Sequence, residues 1–246
     1  MDIFFEIHRD LPREGPGDDK STRQALSFIR NLPPKPMILD IGCGPGQQTL
    51  VLAQNTTGKI IAIDTHQPFL DHLQRQAQSS GFSNRIAIAN ETMFSLPFPQ
   101  PYFDLIWSEG AIYIIGVEQG LRSWRNLLNP GGYIAMTELS WLKPDPPDEV
   151  LTYWQNNYPG MVNIAQNLNI IKTTGFHEIN HFVLPKSSWW DNYYSPIEAR
   201  LLSLRGKYCN NPQALMEINA TQKELDMHRK YSDWYGYVFY IIQLNT

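Results

Sequence analysis

The apolar positions of this chain change period several times, and each change marks an element. Short apolar runs at Met37–Ile41, Lys59–Asp64, Arg85–Ala89, Phe103–Trp107 and Tyr133–Thr137 predict buried strands. Between them, residues 47–54 and 68–80 repeat with helical spacing, the second with Phe69, Leu70, Leu73 and Ala77 on one side. Residues 118–128 predict a further helix, which Asn129-Pro-Gly-Gly132 ends. Upstream, 18–30 predicts a helix whose acids sit at its start, and Leu32-Pro-Pro-Lys-Pro36 breaks it. Downstream, 161–174 predicts a helix stopped by Gly175, and Phe176–Leu184 and Tyr237–Leu244 predict two last strands. Strands alternating with helices imply an α/β fold: a doubly wound, mainly parallel seven-stranded sheet with helices on both faces.

Two stretches leave the alternation. Residues 140–160 are rich in proline and aromatic side chains. Residues 185–235 are longer and predict helices over 196–206 and 212–233, the latter with Leu215, Ile218 and Leu225 on one face. No internal repeat or low-complexity tract is present. The length of 246 residues suits one domain over 1–246 with appended pieces.

Composition narrows the class. Apolar residues make up 42%, enough for a sizeable core. The formal net charge is −4 and no Lys/Arg cluster is visible, so nucleic acid is not an expected partner. The longest nearly apolar run, YGYVFYIIQL, is too short to span a bilayer as a helix, so no membrane association is expected. The two cysteines, Cys43 and Cys209, read as reduced thiols, and the start MDIFFEIHRDL does not read as a signal peptide. The expectation is a soluble, cytoplasmic protein.

The chemistry concentrates in Met37-Ile-Leu-Asp-Ile-Gly-Cys-Gly-Pro-Gly-Gln-Gln-Thr49. Glycines 42, 44 and 46 follow a predicted strand, where open α/β sheets bind ligands at the point of strand reversal. The dinucleotide fingerprint is G-x-G-x-x-G, whereas the spacing here is G-x-G-x-G with Asp40 two residues upstream. A P-loop is excluded, since no G-K-[ST] follows. Asp64 closes the second strand, where a carboxylate can accept hydrogen bonds from ribose hydroxyls. A ligand with a cationic centre and no phosphate suits this acid-flanked loop.

Asp40-Ile-Gly-Cys-Gly-Pro-Gly46 resembles motif I of the class I S-adenosylmethionine-dependent methyltransferases. "AIDTHQPFL", "ETMFSLPFP", "FDLIWSEGAIYII" and "LLNPGGYIAMTEL" resemble that family's later segments, in order, so the likeness covers about residues 36–140. Within the family the chain resembles bacterial small-molecule methyltransferases that share "WSEGAIY" and a "YGYVFYI" ending. The resemblance implies a Rossmann-like methyltransferase fold, S-adenosylmethionine as cofactor and S-adenosylhomocysteine as product. Gly42, Gly44 and Gly46 would face the methionine part, with Cys43 among the cofactor-binding residues of the same loop, and Asp40 would orient the loop and meet the amino group, directly or through water. Asp64 would bind ribose, with Thr65 and His66 alongside. Glu91, Thr92 and Met93 would flank adenine, and Ser108 would sit near the sulfonium. The N-terminal segment 1–31 and the excursions 140–160 and 185–235 would cap the cleft, leaving room for a small molecule. The protein would act as a monomer or homodimer.

Several residues carry two readings. Cys43 reads as a loop filler rather than a nucleophile, since no basic partner lies nearby in sequence. The histidines show no metal-ligand spacing, so no metal is expected. Glu109 reads equally as a substrate contact or general base and as a structural hydrogen-bond partner for the N-terminal segment or a neighbouring loop. Tyr113 and Glu138 divide in the same way between pocket and packing. Trp141, Trp190 and Tyr194 are candidate substrate contacts from the excursions. Two alternatives to methyl transfer stand at this point: a cofactor-binding protein without turnover, and a nicotinamide-dependent oxidoreductase.

Overall fold

Eight extended segments form the sheet of the computed structural model, which describes residues 3–245. They are β1 (Met37–Ile41), β2 (Lys59–Asp64), β3 (Ile86–Asn90), β4 (Phe103–Ser108), β5 (Leu128–Trp141), β6 (Val162–Asn163), β7 (Phe176–Val183) and β8 (Tyr235–Leu244). The helices are α1 (Ile3–Ile7), α2 (Asp19–Ser27), α3 (Gln47–Asn55), α4 (Gln67–Ser79), α5 (Val117–Trp124), α6 (Asp148–Asn157), α7 (Ile164–Thr173), α8 (Lys186–Trp189), α9 (Ser195–Lys207) and α10 (Pro212–Tyr231). The main path runs β3-β2-β1-β4-β5-β8-β7, seven strands, and the two-residue β6 adds to β5 beside it. The pairs from β3 to β5 are parallel, while β8 runs antiparallel between β5 and β7. Strand order therefore reverses between β1 and β4, and the glycine loop that follows β1 opens at that crevice.

Side chains alternate across the sheet with the period of two that strands impose. In β8, Phe239 and Ile241 join the core beneath α2, α3 and α4, whereas Val238, Tyr240 and Ile242 join the core beneath α5 and α7. Burial on both faces explains why the central strands read as unbroken apolar runs. A third cluster lies apart from these two. It gathers Ile7 and Leu11 from the N-terminal segment, Val150 and Trp154 from α6, and Trp189, Tyr194, Ile197, Leu201, Ile218 and Leu225 from the long excursion.

The predicted helix 118–128 ends at Trp124, and a 3-10 turn over Arg125–Leu127 leads into β5. The Pro-Gly-Gly turn lies inside the span of β5, because Leu128 already pairs with Phe103 before the register shifts. The excursion 140–160 holds α6, a helix that three nearby prolines at 144, 146 and 147 mask in the sequence. Its signal was Asp148 and Glu149 in the first turn with Val150 and Trp154 buried four apart. Among the described residues no helix is long and apolar enough to cross a membrane.

Candidate functional site

The glycine loop is held by backbone and packing before any ligand is considered. The N–H groups of Gly42 and Cys43 both donate to the Ile63 carbonyl, each at 2.9 Å. Gly42 has φ +69°, and a Cβ there would stand 2.4 Å from the Cβ of Ala111. Gly46 has φ +91°, opens α3, and a Cβ there would meet Leu73 Cδ1 at 2.3 Å. Only glycine satisfies both demands at these positions. At Gly44 the nearest side-chain atom is Glu14 Cγ, 3.5 Å from the place a Cβ would take, so this face of the loop looks into a cavity.

Two carboxylates shape the loop from opposite sides. Asp64 accepts the Gly44 N–H with Oδ2 and the His66 N–H with Oδ1, both at 2.9 Å, and lines the cavity. Asp40 is fully buried beneath the loop and takes the Thr49 hydroxyl on Oδ2 at 2.5 Å, while Oδ1 has no hydrogen-bond partner. Burial pushes the Asp40 carboxyl up to about 7, against the Thr49 hydrogen bond. Burial likewise raises the Cys43 thiol well above its ordinary value, which suits a packed loop residue rather than a thiolate.

The first cavity measures about 260 Å³. Of the residues expected at the cofactor, Gly42, Cys43, Gly44, Asp64, Thr65, Glu91, Thr92 and Met93 line it. Asp40, Gly46, His66 and Ser108 do not. Ser108 is fully buried and donates to the Ile41 carbonyl at 3.0 Å, tying β4 to β1. His66 stacks on Phe5 with ring centroids 3.9 Å apart, outside the cavity wall. The indole N–H of Trp124 donates to the Met93 carbonyl at 3.3 Å and so anchors the loop after β3.

Residues 13–16 and Phe4 form a strap along one wall of this cavity, and the contacts of Arg13 hold the strap to β4 and α2. Its guanidinium donates to Glu109 Oε2 at 2.8 Å, to Asp19 Oδ1 at 3.1 Å and to Thr22 Oγ1 at 3.2 Å. Glu109 Oε1 accepts the Thr22 hydroxyl at 2.7 Å and the Trp107 indole N–H at 2.9 Å. Both oxygens of Glu109 are thus engaged by three donors. Glu109 lines the first cavity, and its carboxylate also ties the N-terminal segment to the end of β4. At the other end, Asp18 caps α2 through the Ser21 N–H at 2.7 Å and also accepts the Ser188 hydroxyl.

A second cavity of about 590 Å³ adjoins the first. Phe4, Glu14, Gly15, Pro16, Gly110 and Tyr113 line both. Its remaining wall comes from α6, from the α8–α9 region, from α10 and from Leu139 and Tyr237 of the sheet. Tyr113 and Tyr194 are in this wall. Glu138 lies behind it, 2% exposed, with Oε1 accepting the Tyr158 hydroxyl at 2.7 Å and Oε2 without a partner. Burial pushes Glu138 up to about 8. Trp141 and Trp190 are corrections to the sequence reading. Trp141 faces the 142–146 loop and packs edge-on to Tyr235. Trp190 carries the Arg229 guanidinium 4.6 Å above its ring.

Sequence reasoning missed Glu14, Glu224 and three tyrosines, 153, 158 and 237, in this wall. Glu14 lies in a Pro- and Gly-rich loop with no periodicity to mark it. Its Oε2 is buried and unpartnered, and burial, aided by the Asp64 charge, pushes its carboxyl up to about 8. Glu224 had a readable signal, because Glu217, Thr221 and Glu224 recur at helical spacing on the cavity side of α10. The Tyr194 hydroxyl donates to Glu224 Oε1 at 2.8 Å, and burial raises that carboxyl despite the bond. Among the described residues no group of His, Cys, Asp and Glu is arranged to hold a metal ion.

Known proteins resemble the chain in two ways. Residues 38–132 match a family described as a methyltransferase domain. The whole fold superposes on an S-adenosylmethionine-dependent methyltransferase from Geobacter sulfurreducens, solved with S-adenosylhomocysteine (TM-score 0.83, 17% identity, 99% of this chain and 98% of that one). A second such structure, from Thiobacillus denitrificans, gives a TM-score of 0.84 at 18% identity over 100% and 99% of the two chains. Among curated relatives, a malonyl-(acyl-carrier protein) O-methyltransferase of Pseudescherichia vulneris is 33% identical over 104 residues, 42% of this chain and 39% of that protein. A sterol 24-C-methyltransferase of Neurospora crassa is 24% identical over 174 residues, 67% of this chain and 45% of that protein. The chain spans less than half the length of these curated relatives. The fold read from the alternation of strands and helices is that of the class I methyltransferases.

Proposed function

The chain carries a methyltransferase domain, and from that premise we propose that it passes the methyl group of S-adenosylmethionine to a small molecule held in the second cavity. The observation that carries this reading is the shared wall: six residues border both cavities, so a cofactor in one and an acceptor in the other would be neighbours there.

The first cavity suits the cofactor chemically. Arg13 is the one Lys or Arg among its described lining residues, and its guanidinium is engaged by Glu109 and Asp19. No free cation is left among these lining residues for a pyrophosphate, which disfavours a nicotinamide dinucleotide, while Asp64 and Glu91 favour a positive ligand. Gly42 to Gly44 would hold the methionine part, Asp64 the ribose, and Glu91 to Met93 the adenine. Asp40 acts through Thr49 to keep the loop in shape.

A bound sulfonium supplies an activated methyl for in-line displacement. What the protein adds is alignment and exclusion of water, and orientation of this kind contributes about 7–11 kcal/mol of barrier reduction. Tyr113 and Glu14 border the place of transfer, and the strap tied by Arg13 runs beside it. Calorimetric titration tests the reading. S-adenosylmethionine and S-adenosylhomocysteine should bind with micromolar dissociation constants and NAD should not. Absence of binding by the first two sinks the proposal.

A further inference from the structure

Resting on the methyltransferase reading, we propose that the second cavity takes an amine acceptor, held as its ammonium ion by carboxylates inside a tyrosine cage; the ammonium passes a proton to Glu14, which borders both cavities, and the freed lone pair bonds the methyl carbon as the carbon–sulfur bond breaks and S-adenosylhomocysteine leaves. Three kinds of observation meet there. Glu14 and Glu224 line the cavity, and Glu138 stands directly behind Tyr158 of its wall. Glu14 Oε2 and Glu138 Oε2 are both buried with no hydrogen-bond partner, though a buried polar atom is normally paired. The rings of Tyr113, Tyr153, Tyr158, Tyr193, Tyr194 and Tyr237 enclose the same space.

Lys223, Arg200 and His8 make their hydrogen bonds and ring contacts elsewhere, although the Arg200 charge is felt at Glu14. Lys223 is the one Lys or Arg among the described lining residues, and its Nζ lies 5.6 Å over the Tyr153 ring. Arg200 donates to the Ile7 carbonyl at 2.8 Å. His8 bonds the Phe4 carbonyl at 2.8 Å and the Tyr193 hydroxyl at 3.2 Å, and burial lowers its affinity for a proton. Without a ligand, Glu14 and Glu138 keep their protons near neutral pH; a bound cation favours their ionised form, an acceptor carboxylate opposes it, and a neutral alcohol does neither. A protonated primary, secondary or tertiary amine meets both the carboxylates and the aromatic faces, and on losing its proton it has the lone pair that methyl transfer needs.

The test is binding to the whole protein saturated with S-adenosylhomocysteine, using matched probes on two frames. On the phenyl frame these are 2-phenylethylamine, 2-phenylethanol and 3-phenylpropanoate; on the butyl frame, butylamine, butanol and butanoate. At least one amine should bind tenfold or more tighter than its alcohol and its acid. Glu224→Gln and Glu138→Gln should each reduce that preference at least fivefold, the second variant guarding against misfolding of the first. An alcohol or acid that binds as tightly as its amine, or amines that fail to bind while S-adenosylhomocysteine binds, overturns the amine proposal and leaves methyl transfer standing. Failure of S-adenosylhomocysteine itself to bind overturns both.

Discussion

The first cavity takes most of its wall from four short stretches at strand ends, 42–44, 63–65, 91–94 and 109–111. The second draws on α1, the 14–16 loop, α6, the α8–α9 region and α10, segments up to about 220 residues apart in the chain. The first is fixed by backbone: the glycine loop hangs on the Ile63 carbonyl, and Asp64 holds Gly44. The second is fixed by side chains of the third hydrophobic cluster. A site built on backbone geometry constrains residues close in sequence. A site built on packing leaves the chemistry free to vary with whichever segments meet.

One contact serves both halves, and breaking it should have the largest effect. Arg13 and Glu109 are 5% and 6% exposed and pair at 2.8 Å. Arg13→Ala removes the cation and leaves a buried carboxylate uncompensated, which costs about 3–5 kcal/mol. Urea unfolding should show that loss, and S-adenosylhomocysteine affinity should fall with it because the strap along the first cavity is released. A variant as stable as the parent would show that the strap is held by α1 and α8 instead.

The second prediction concerns pH. Glu14 and Glu138 are pushed up to about 8 and Asp40 to about 7, all chiefly by burial. The folded state therefore holds protons that the unfolded chain releases near its ordinary carboxylate range. Their contribution to stability is complete below that range and is lost as pH rises through 7 to 8. His228, lowered to about 4, works in the opposite sense below its ordinary value of 6.5, so the clean window is pH 6.5 to 8. The melting temperature of the ligand-free protein should fall across that window, and Glu138→Gln should reduce the slope. A flat or rising profile contradicts the assignment of buried protons to these carboxyls.

Asp64→Ala separates the two halves. It removes the carboxylate proposed to hold the ribose, and each hydrogen bond to a charged group is worth about 1.5–3 kcal/mol. Affinity for S-adenosylhomocysteine should fall at least about tenfold. Glu224→Gln, across the shared wall, should leave that affinity within a factor of about two, because its side chain lines only the second cavity. Equal losses from both variants would mean that the two cavities act as one site.

The same division explains what could be read from the chain. The strands and the glycine spacing were legible because each is local: an apolar run forms a buried strand, and Gly42 and Gly46 answer backbone demands within a few residues. Among the loops, Glu91 to Met93 could be placed from "ETMFSLPFP". Glu109 was ambiguous because its partners, Arg13 and Thr22, are 96 and 87 residues away. Glu14 was invisible, since nothing in Pro-Arg-Glu-Gly-Pro marks which way a loop carboxylate points. In the excursions, aromatic density did not show which rings face the second cavity: Tyr194 lines it, and Trp141 and Trp190 do not. The π-turn over Trp190–Tyr194 is the physical reason: it shifts the helical phase, placing Tyr193 and Tyr194 in the cavity wall and Trp190 outside it.

Trp190 provides the smallest expected effect and the sharpest check on that phase. Its ring packs 5.4 Å from Tyr194 and lies beneath the Arg229 guanidinium, so it supports the wall without forming it. Trp190→Leu keeps an apolar side chain and gives up the cation–π contact, worth about 0.5–1 kcal/mol at an exposed site. Unfolding should register that small change, and binding of S-adenosylhomocysteine and of the amine probes should stay within about twofold of the parent. Tyr194→Phe changes a single hydroxyl, the one that donates to Glu224, and it should weaken amine binding more than the loss of the whole indole does. If the order is reversed, the acceptor contacts the face of the excursion that Trp190 occupies, and the carboxylate cage is not where recognition takes place.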